Sequence, residues 1–118
     1  MTVTEIANSV TALLRAGKFH DVYEQYYDTE VVRHIEPKSP FFPDLTGVNA
    51  LKEKDAKIQP NIASVDTLEI GEPIISKSFF ALTFKMSATL KDGNQNRLDE
   101  IIVYEVQKGK IVLEQFFY

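Results

Sequence analysis

A chain of 118 residues is one domain's length, too short to bury two independent cores. Hydrophobic residues make up 44% and charged residues 25%, proportions that exclude disordered, collagen-like and coiled-coil chains. Thirteen basic against 17 acidic residues leave a net charge of −4, which argues against a nucleic-acid partner, and the lack of cysteine excludes disulfides, thiolate metal sites and thiol nucleophiles.

No apolar stretch approaches the roughly 20 residues that cross a bilayer. The opening MTVTEIANSV also lacks a basic segment followed by an apolar one, so the expectation is a cytoplasmic protein with no membrane partner.

Taken in chain order, Thr2 and Glu5 stand at capping-box spacing before Ile6, Val10, Leu13 and Leu14, which recur at helical period. Gly17 is placed to end that helix. A second helix is predicted over Phe19 to Tyr27, with Phe19, Val22, Tyr23, Tyr26 and Tyr27 on one broad aromatic face. The β-branched run Glu30 to Glu36 reads as a strand stopped by Pro37. An apolar loop carrying Pro40, Phe41, Phe42 and Pro43 follows. Thr46 is placed to cap a third helix over about Val48 to Ile58, which Pro60 ends.

From Ile62 onward the pattern predicts four strands, divided by turn signals at Gly71-Glu72-Pro73, Lys91 to Asn94 and Lys108-Gly109. The clearest is Phe79 to Leu90. There Phe80, Leu82, Phe84, Met86, Ala88 and Leu90 alternate with a largely polar set. Segments Glu100 to Val106 and Ile111 to Tyr118 are apolar on both faces, as central strands covered on both sides would be. Three helices cover only one face of such a sheet, so a homodimer through the outer sheet face is expected.

Helix, helix, strand, helix and then a run of strands is an α+β order. In YYDTEVVRHIEP followed by TGVNALKEKDAK, and in LLRAGKFHDVYEQYY and VYEVQKGKIVLEQFF, the chain resembles the nuclear transport factor 2-like superfamily, in particular the SnoaL-like polyketide cyclases and ketosteroid isomerases. The resemblance covers residues 1–118 as a single SnoaL-like domain. It implies a cone-shaped, curved antiparallel sheet wrapped around three N-terminal helices, a cystatin-like fold with an apolar pocket. One scaffold of this kind hosts enzymes, binding proteins and assembly domains.

By that resemblance Glu36, directly before Pro37, falls where the isomerases carry their general-base carboxylate. Their helix-1 tyrosine falls at about Val10, and their oxyanion-hole aspartate at about Ile102. The two-residue period of a strand puts His34 and Val32 on the side of Glu36. An apolar cavity would raise the carboxyl pKa, and an adjacent imidazole would orient it or share its proton. On an edge strand the same residues would simply be solvated.

The resemblance also places Val112, Glu114, Phe116 and Tyr118 on the cavity side of the last strand and Ile111, Leu113, Gln115 and Phe117 outside. A register slip of one would turn Gln115 inward instead. A buried Glu114 must find a partner or keep its proton. Tyr26, Tyr27 and Tyr104 are core residues or phenolic donors to a ligand, with Tyr26 the first choice as donor. Asp55 approaches the apolar side of the third helix and Lys54 stands where relatives often carry an aromatic. Either the helix is rotated or the pocket mouth is polar there.

His20 and His34 stand on different elements with no metal-ligand spacing, and no phosphate-loop, dinucleotide or nucleophile-elbow motif is present. The expected site therefore has catalytic Glu36 and His34 and ligand-binding Tyr26, Phe84, Met86, Tyr104, Glu114, Phe116 and Tyr118, with no cofactor and no metal. The expected ligand is a hydrophobic cyclic small molecule that loses a proton next to its carbonyl. The alternative is a non-catalytic ligand-binding or dimerisation domain of the same fold.

Overall fold

Thr2 and Glu5 do form the capping box. The Thr2 hydroxyl accepts from the Glu5 amide at 3.1 Å and the Glu5 carboxylate accepts from the Thr2 amide at 3.0 Å, opening helix α1 (Val3–Arg15). Its other end closes on Gly17, whose φ of +73° lets the Gly17 and Lys18 amides reach back to the Leu14 and Leu13 carbonyls. The computed structural model describes residues 1–37 and 42–118. The sequence-predicted loop residues Pro40 and Phe41 lie outside them.

Helix α2 spans Phe19–Tyr26 and helix α3 spans Val48–Ile58, followed by a single 3-10 turn, Gln59–Asn61, that carries Pro60. The start of α3 differs from expectation. Thr46 is committed to a strand, and Gly47 takes the capping position with φ +86°. A Cβ at Gly47 would stand 3.4 Å from the Glu30 carbonyl oxygen, so glycine suits both the backbone angle and the close approach.

Among the described residues seven strands form one sheet: β1 (Arg33–Ile35), β2 (Leu45–Thr46), β3 (Ile62–Ile70), β4 (Ile74–Ile75), β5 (Phe79–Leu90), β6 (Gln95–Gln107) and β7 (Lys110–Phe117). Their order is β2-β1-β7-β6-β5-β3, with β4 continuing the β3 edge against β5. Five strands therefore follow Ile62 where four were expected. The extra one is a two-residue piece, too short to give a periodic signal. The expected strand over Glu30 to Glu36 shortens to three residues because a turn precedes it.

The sheet is mixed rather than wholly antiparallel. β1 pairs parallel to β7, aligning Arg33, His34 and Ile35 with Leu113, Glu114 and Gln115, while every other strand pairing is antiparallel. A parallel bridge between Tyr27 and Ile111 extends this seam to the end of α2.

Between β5 and β6 the register is unbroken from Phe79 opposite Glu105 to Thr89 opposite Gln95. Phe80, Leu82, Phe84, Ile102 and Tyr104 all face Ile6, Val10 and Leu14 of α1 in one core, which is the α+β layering expected. Between β6 and β7 a bulge intervenes: Glu105 opposes Leu113 and Val106 opposes Ile111, leaving Val112 as the extra residue. Strict alternation had put Ile111 on the outer face. The bulge brings it inside, where it is fully buried. Among the described residues no helix is long and apolar enough to cross a membrane.

Candidate active site

The β1–β7 seam sets His34 beside Glu114, and the pleat of β1 turns Val32 and His34 to the same interior side. Glu36 follows just past β1, its amide donating to Asp44 Oδ1 at 3.0 Å. Helix α3 brings in the fourth member. Val48 and Leu51 are its buried residues, and Lys54, one turn beyond Leu51, projects over the end of β1.

These side chains form a continuous hydrogen-bonded chain. His34 Nδ1 lies 2.7 Å from Glu114 Oε1 and His34 Nε2 lies 2.7 Å from Glu36 Oε1. Lys54 Nζ donates to the same Glu36 oxygen at 2.9 Å and stands 3.0 Å from His34 Nε2. The Tyr118 hydroxyl donates to Glu36 Oε2 at 2.7 Å, and the Tyr27 hydroxyl donates to Glu114 Oε2. Phe116 packs its ring 4.8 Å from the imidazole, and Tyr104, whose hydroxyl interacts with that of Tyr27, stacks on Phe80. No described buried side-chain polar atom is left without a partner.

A carboxylate at each ring nitrogen favours His34 donating from both, as an imidazolium, against the Lys54 ammonium 3.0 Å from Nε2. Burial opposes that charge. The hydrogen bonds to Glu114 and Glu36 outweigh it and hold the His34 pKa up at about 9. Burial likewise opposes charge on Glu36, and the donors His34, Tyr118 and Lys54 outweigh it, holding the carboxyl at about 2. The sequence had suggested a carboxyl raised by an apolar cavity. Three donors on one carboxylate reverse that expectation. Burial and the charge of Glu114 push the Tyr27 hydroxyl well above its ordinary range.

The group raised toward neutrality is Glu100, on the inner face of β6 two residues before Ile102. Burial and the neighbouring charge of Glu36 push it up to about 7. It had not been singled out. The parity that turns Ile102 and Tyr104 inward turns Glu100 inward as well, and that was the available signal.

Glu114 is 3% exposed, so the register with Glu114 inside is the one adopted, and Val112 rather than Glu114 absorbs the irregularity. Of the tyrosines, Tyr27 and not Tyr26 joins the cluster, since α2 ends at Tyr26 and Tyr27 turns into the parallel seam. Tyr26 packs at the margin of the core, Phe84 packs against Phe19, and Met86 borders the core along β5. Tyr118 is half exposed and reaches Glu36 through its hydroxyl alone. The ambiguity at Lys54 and Asp55 resolves with each clamping a different element. Lys54 joins the cluster, and Asp55 accepts from Tyr23 at 3.0 Å and pairs with His20 at 3.3 Å. Val10 and Ile102 are core residues. Among the described residues no set of His, Asp and Glu side chains has the arrangement of a metal site.

The family model of the SnoaL-like domain matches residues 1–118. A protein from Mesorhizobium loti described as a SnoaL-like polyketide cyclase is 32% identical, with 100% of both chains covered and a TM-score of 0.90. A nuclear transport factor 2-like protein from Burkholderia thailandensis shares the fold at 13% identity, with 99% of this chain and 90% of that chain covered and a TM-score of 0.80. A protein of cystatin-like fold from Xanthomonas campestris does so at 18% identity, over 99% and 90%, with a TM-score of 0.71. No curated protein matches the chain. With a match along its whole length, the chain belongs to the SnoaL-like domain family, and it shares its fold with nuclear transport factor 2-like proteins.

Proposed function

We propose that the chain catalyses proton transfer next to a carbonyl of a small hydrophobic cyclic compound, in an isomerase or cyclase type of reaction. Glu36 takes the proton and His34 is its partner. The observation that carries this reading is the imidazolium clamped between Glu36 and Glu114 inside an otherwise apolar interior. Burying four ionised groups costs stability that an apolar filling would not, so such a cluster points to chemistry before packing. The Mesorhizobium loti relative, for which a SnoaL-like polyketide cyclase activity has been proposed, supports the same class. A carboxylate carrying three donors is a weak base, which favours substrates whose C–H is acidified by two carbonyls.

One observation favours a second reading. Two concavities among the described residues open away from Glu36: a groove of about 430 Å³ lined by Glu24, Tyr27 and Lys110, and an apolar one of about 200 Å³ beside Ile74 and Phe79. Neither is lined by His34 or Glu36, which suits a non-catalytic domain filled by its own side chains. Exchange of α-protons for deuterium, followed by NMR over a panel of aromatic and steroid-like ketones and 1,3-diketones, separates the two. The acid–base reading expects exchange with at least one compound and a loss of roughly 10²–10⁴ in Glu36→Gln. No exchange, and no thermal stabilisation by any compound, transfers the assignment to the packed domain.

We also propose pairing with a second copy through the outer sheet face. There Ile101 and Phe117 stand directly opposite each other, 48% and 47% exposed, in central strands whose inner face alone is covered by helices. Light scattering should give twice the chain mass for wild type and the single-chain mass for Ile101→Lys. A wild-type monomer at micromolar concentration rules the interface out.

A further inference from the structure

The donors around Glu36 are not equivalent. Both His34 nitrogens are committed to carboxylates, the Tyr118 hydroxyl proton is spent on Glu36 Oε2 and that of Tyr27 on Glu114. Lys54 differs. An ammonium has three N–H donors; Nζ donates to Glu36 Oε1 at 2.9 Å and stands 3.0 Å from His34 Nε2, which leaves at least one N–H without an acceptor among the described residues. Its side chain is 19% exposed against 5% for His34, and its Nζ stands 4.8 Å above the Phe42 ring, on the side of the cluster away from Glu114. Lys54 is thus the cation of the cluster with both hydrogen-bonding capacity and access to spare.

We propose that Lys54 is a catalytic residue that receives the negative charge of the substrate, donating from Nζ to the carbonyl oxygen as Glu36 removes the neighbouring proton. The proposal rests on the acid–base reading above and adds the group that stabilises the anion. In the step, the C–H bond breaks and its proton goes to a Glu36 oxygen. The electron pair forms the C=C bond and the carbonyl π pair moves to oxygen, giving an enolate. Return of the Glu36 proton to another carbon of a conjugated enolate completes an isomerisation, and attack of the α-carbon on a second carbonyl, with the Glu36 proton passing to the alkoxide so formed, completes a ring closure; neither needs an oxidant or reductant.

Charge bookkeeping favours the same residue. With Glu100 keeping its proton, His34 and Lys54 balance Glu36 and Glu114 in the resting site. When Glu36 accepts a proton that balance becomes one positive charge in excess, and Lys54, released from its ion pair, is the cation next to the vacated charge. An enolate oxygen there restores neutrality without moving charge more than a few ångströms. The positions at which the resemblance had placed the isomerases' oxyanion donors are the apolar Val10 and Ile102, so this chain would draw its electrophilic support from α3 instead.

The test uses wild type, Lys54→Met, Lys54→Arg and Glu36→Gln with 2-tetralone and a cyclic 1,3-diketone, reading deuterium exchange by NMR, and with 2-naphthol as an enolate mimic whose ionisation is read by ultraviolet absorption. Lys54→Met should lose roughly 10²–10³ in kcat with KM changed by less than about threefold, and Lys54→Arg should stay within about tenfold of wild type. Bound 2-naphthol should ionise at a pH at least about one unit lower than free in wild type and Lys54→Arg, and as in water in Lys54→Met. A merely structural lysine would not move that spectrum. Exchange in Lys54→Met at the wild-type rate overturns the role of Lys54 while leaving that of Glu36 standing. No exchange above the protein-free rate by wild type with either ketone overturns the acid–base reading and this proposal together.

Discussion

Replacing His34 by alanine is expected to destabilise the fold by about 3–5 kcal/mol, the largest loss anticipated for any single polar substitution in the chain. The reason is less the histidine's own packing than what it leaves behind. The Glu36 and Glu114 side chains are only 7% and 4% exposed, and each has one oxygen turned to an imidazole nitrogen at 2.7 Å. Without the ring, Glu114 retains Tyr27 and Glu36 retains Lys54 and Tyr118, so two carboxylates keep their burial and lose their shared cation. Urea unfolding of His34→Ala beside His34→Ala/Glu114→Gln measures it. The double variant should regain part of the loss, since a neutral amide needs no counter-charge. A single variant within about 1 kcal/mol of wild type would show that the carboxylates are satisfied without the imidazolium.

The second large expected effect is on the pH dependence of stability. Glu36, held at about 2, contributes fully above the ordinary carboxylate value of 4.5, and its contribution is lost as pH falls toward 2. His34, held at about 9, contributes fully below its ordinary 6.5 and loses its contribution as pH rises through 9. Glu100 acts in the opposite sense to Glu36. With its carboxyl pushed up to about 7, the folded chain resists an ionisation that the unfolded chain completes near 4.5, so stability falls as pH rises between the two. Maximal stability is therefore expected near pH 5. A first decline by pH 7 should be about 1 kcal/mol, discounted because Glu100 is partly exposed, and a second between pH 6.5 and 9 should be on the order of 3 kcal/mol. Thermal midpoints should fall by roughly 15 °C across the whole range. Glu100→Gln should erase the first decline and keep the second. Midpoints that rise steadily from pH 5 to 9 would contradict a charged His34.

What was legible in the sequence is what local rules govern. Thr2 with Glu5, Gly17 after Arg15, and the extent of α3 depend on neighbours within a few residues, and all three were readable. The alternation of β5 follows from the period of a strand, whereas the inward phase of His34 and Glu114 was implied by the family resemblance. The parallel seam was not readable, because it joins residues about eighty positions apart and nothing near Arg33 specifies its direction. Nor was the bulge at Val112, which belongs to the twist of the whole β6–β7 pair and not to the residue. The misassignment among the tyrosines has the same origin. Tyr27 was placed on a helix face, and it is the seam with Ile111 that ends the helix one residue earlier and turns Tyr27 toward Glu114. The expected rise in the Glu36 pKa failed because burial was visible in the apolar pattern, whereas the incoming Lys54 and Tyr118 come from elements 18 and 82 positions away.

That parallel seam also dictates when the site comes into being. His34 and Glu114 meet only after the loop between them has closed, the costliest kind of contact for a folding chain to make. The hairpins β5–β6 and β6–β7 are near neighbours in sequence and can zip first, so a chain that has built most of its sheet still carries a separated acid and base. The ionic cluster is therefore expected to form late in folding, and fluorescence of Tyr27, whose hydroxyl meets Glu114, should report docking of the helical third onto the sheet.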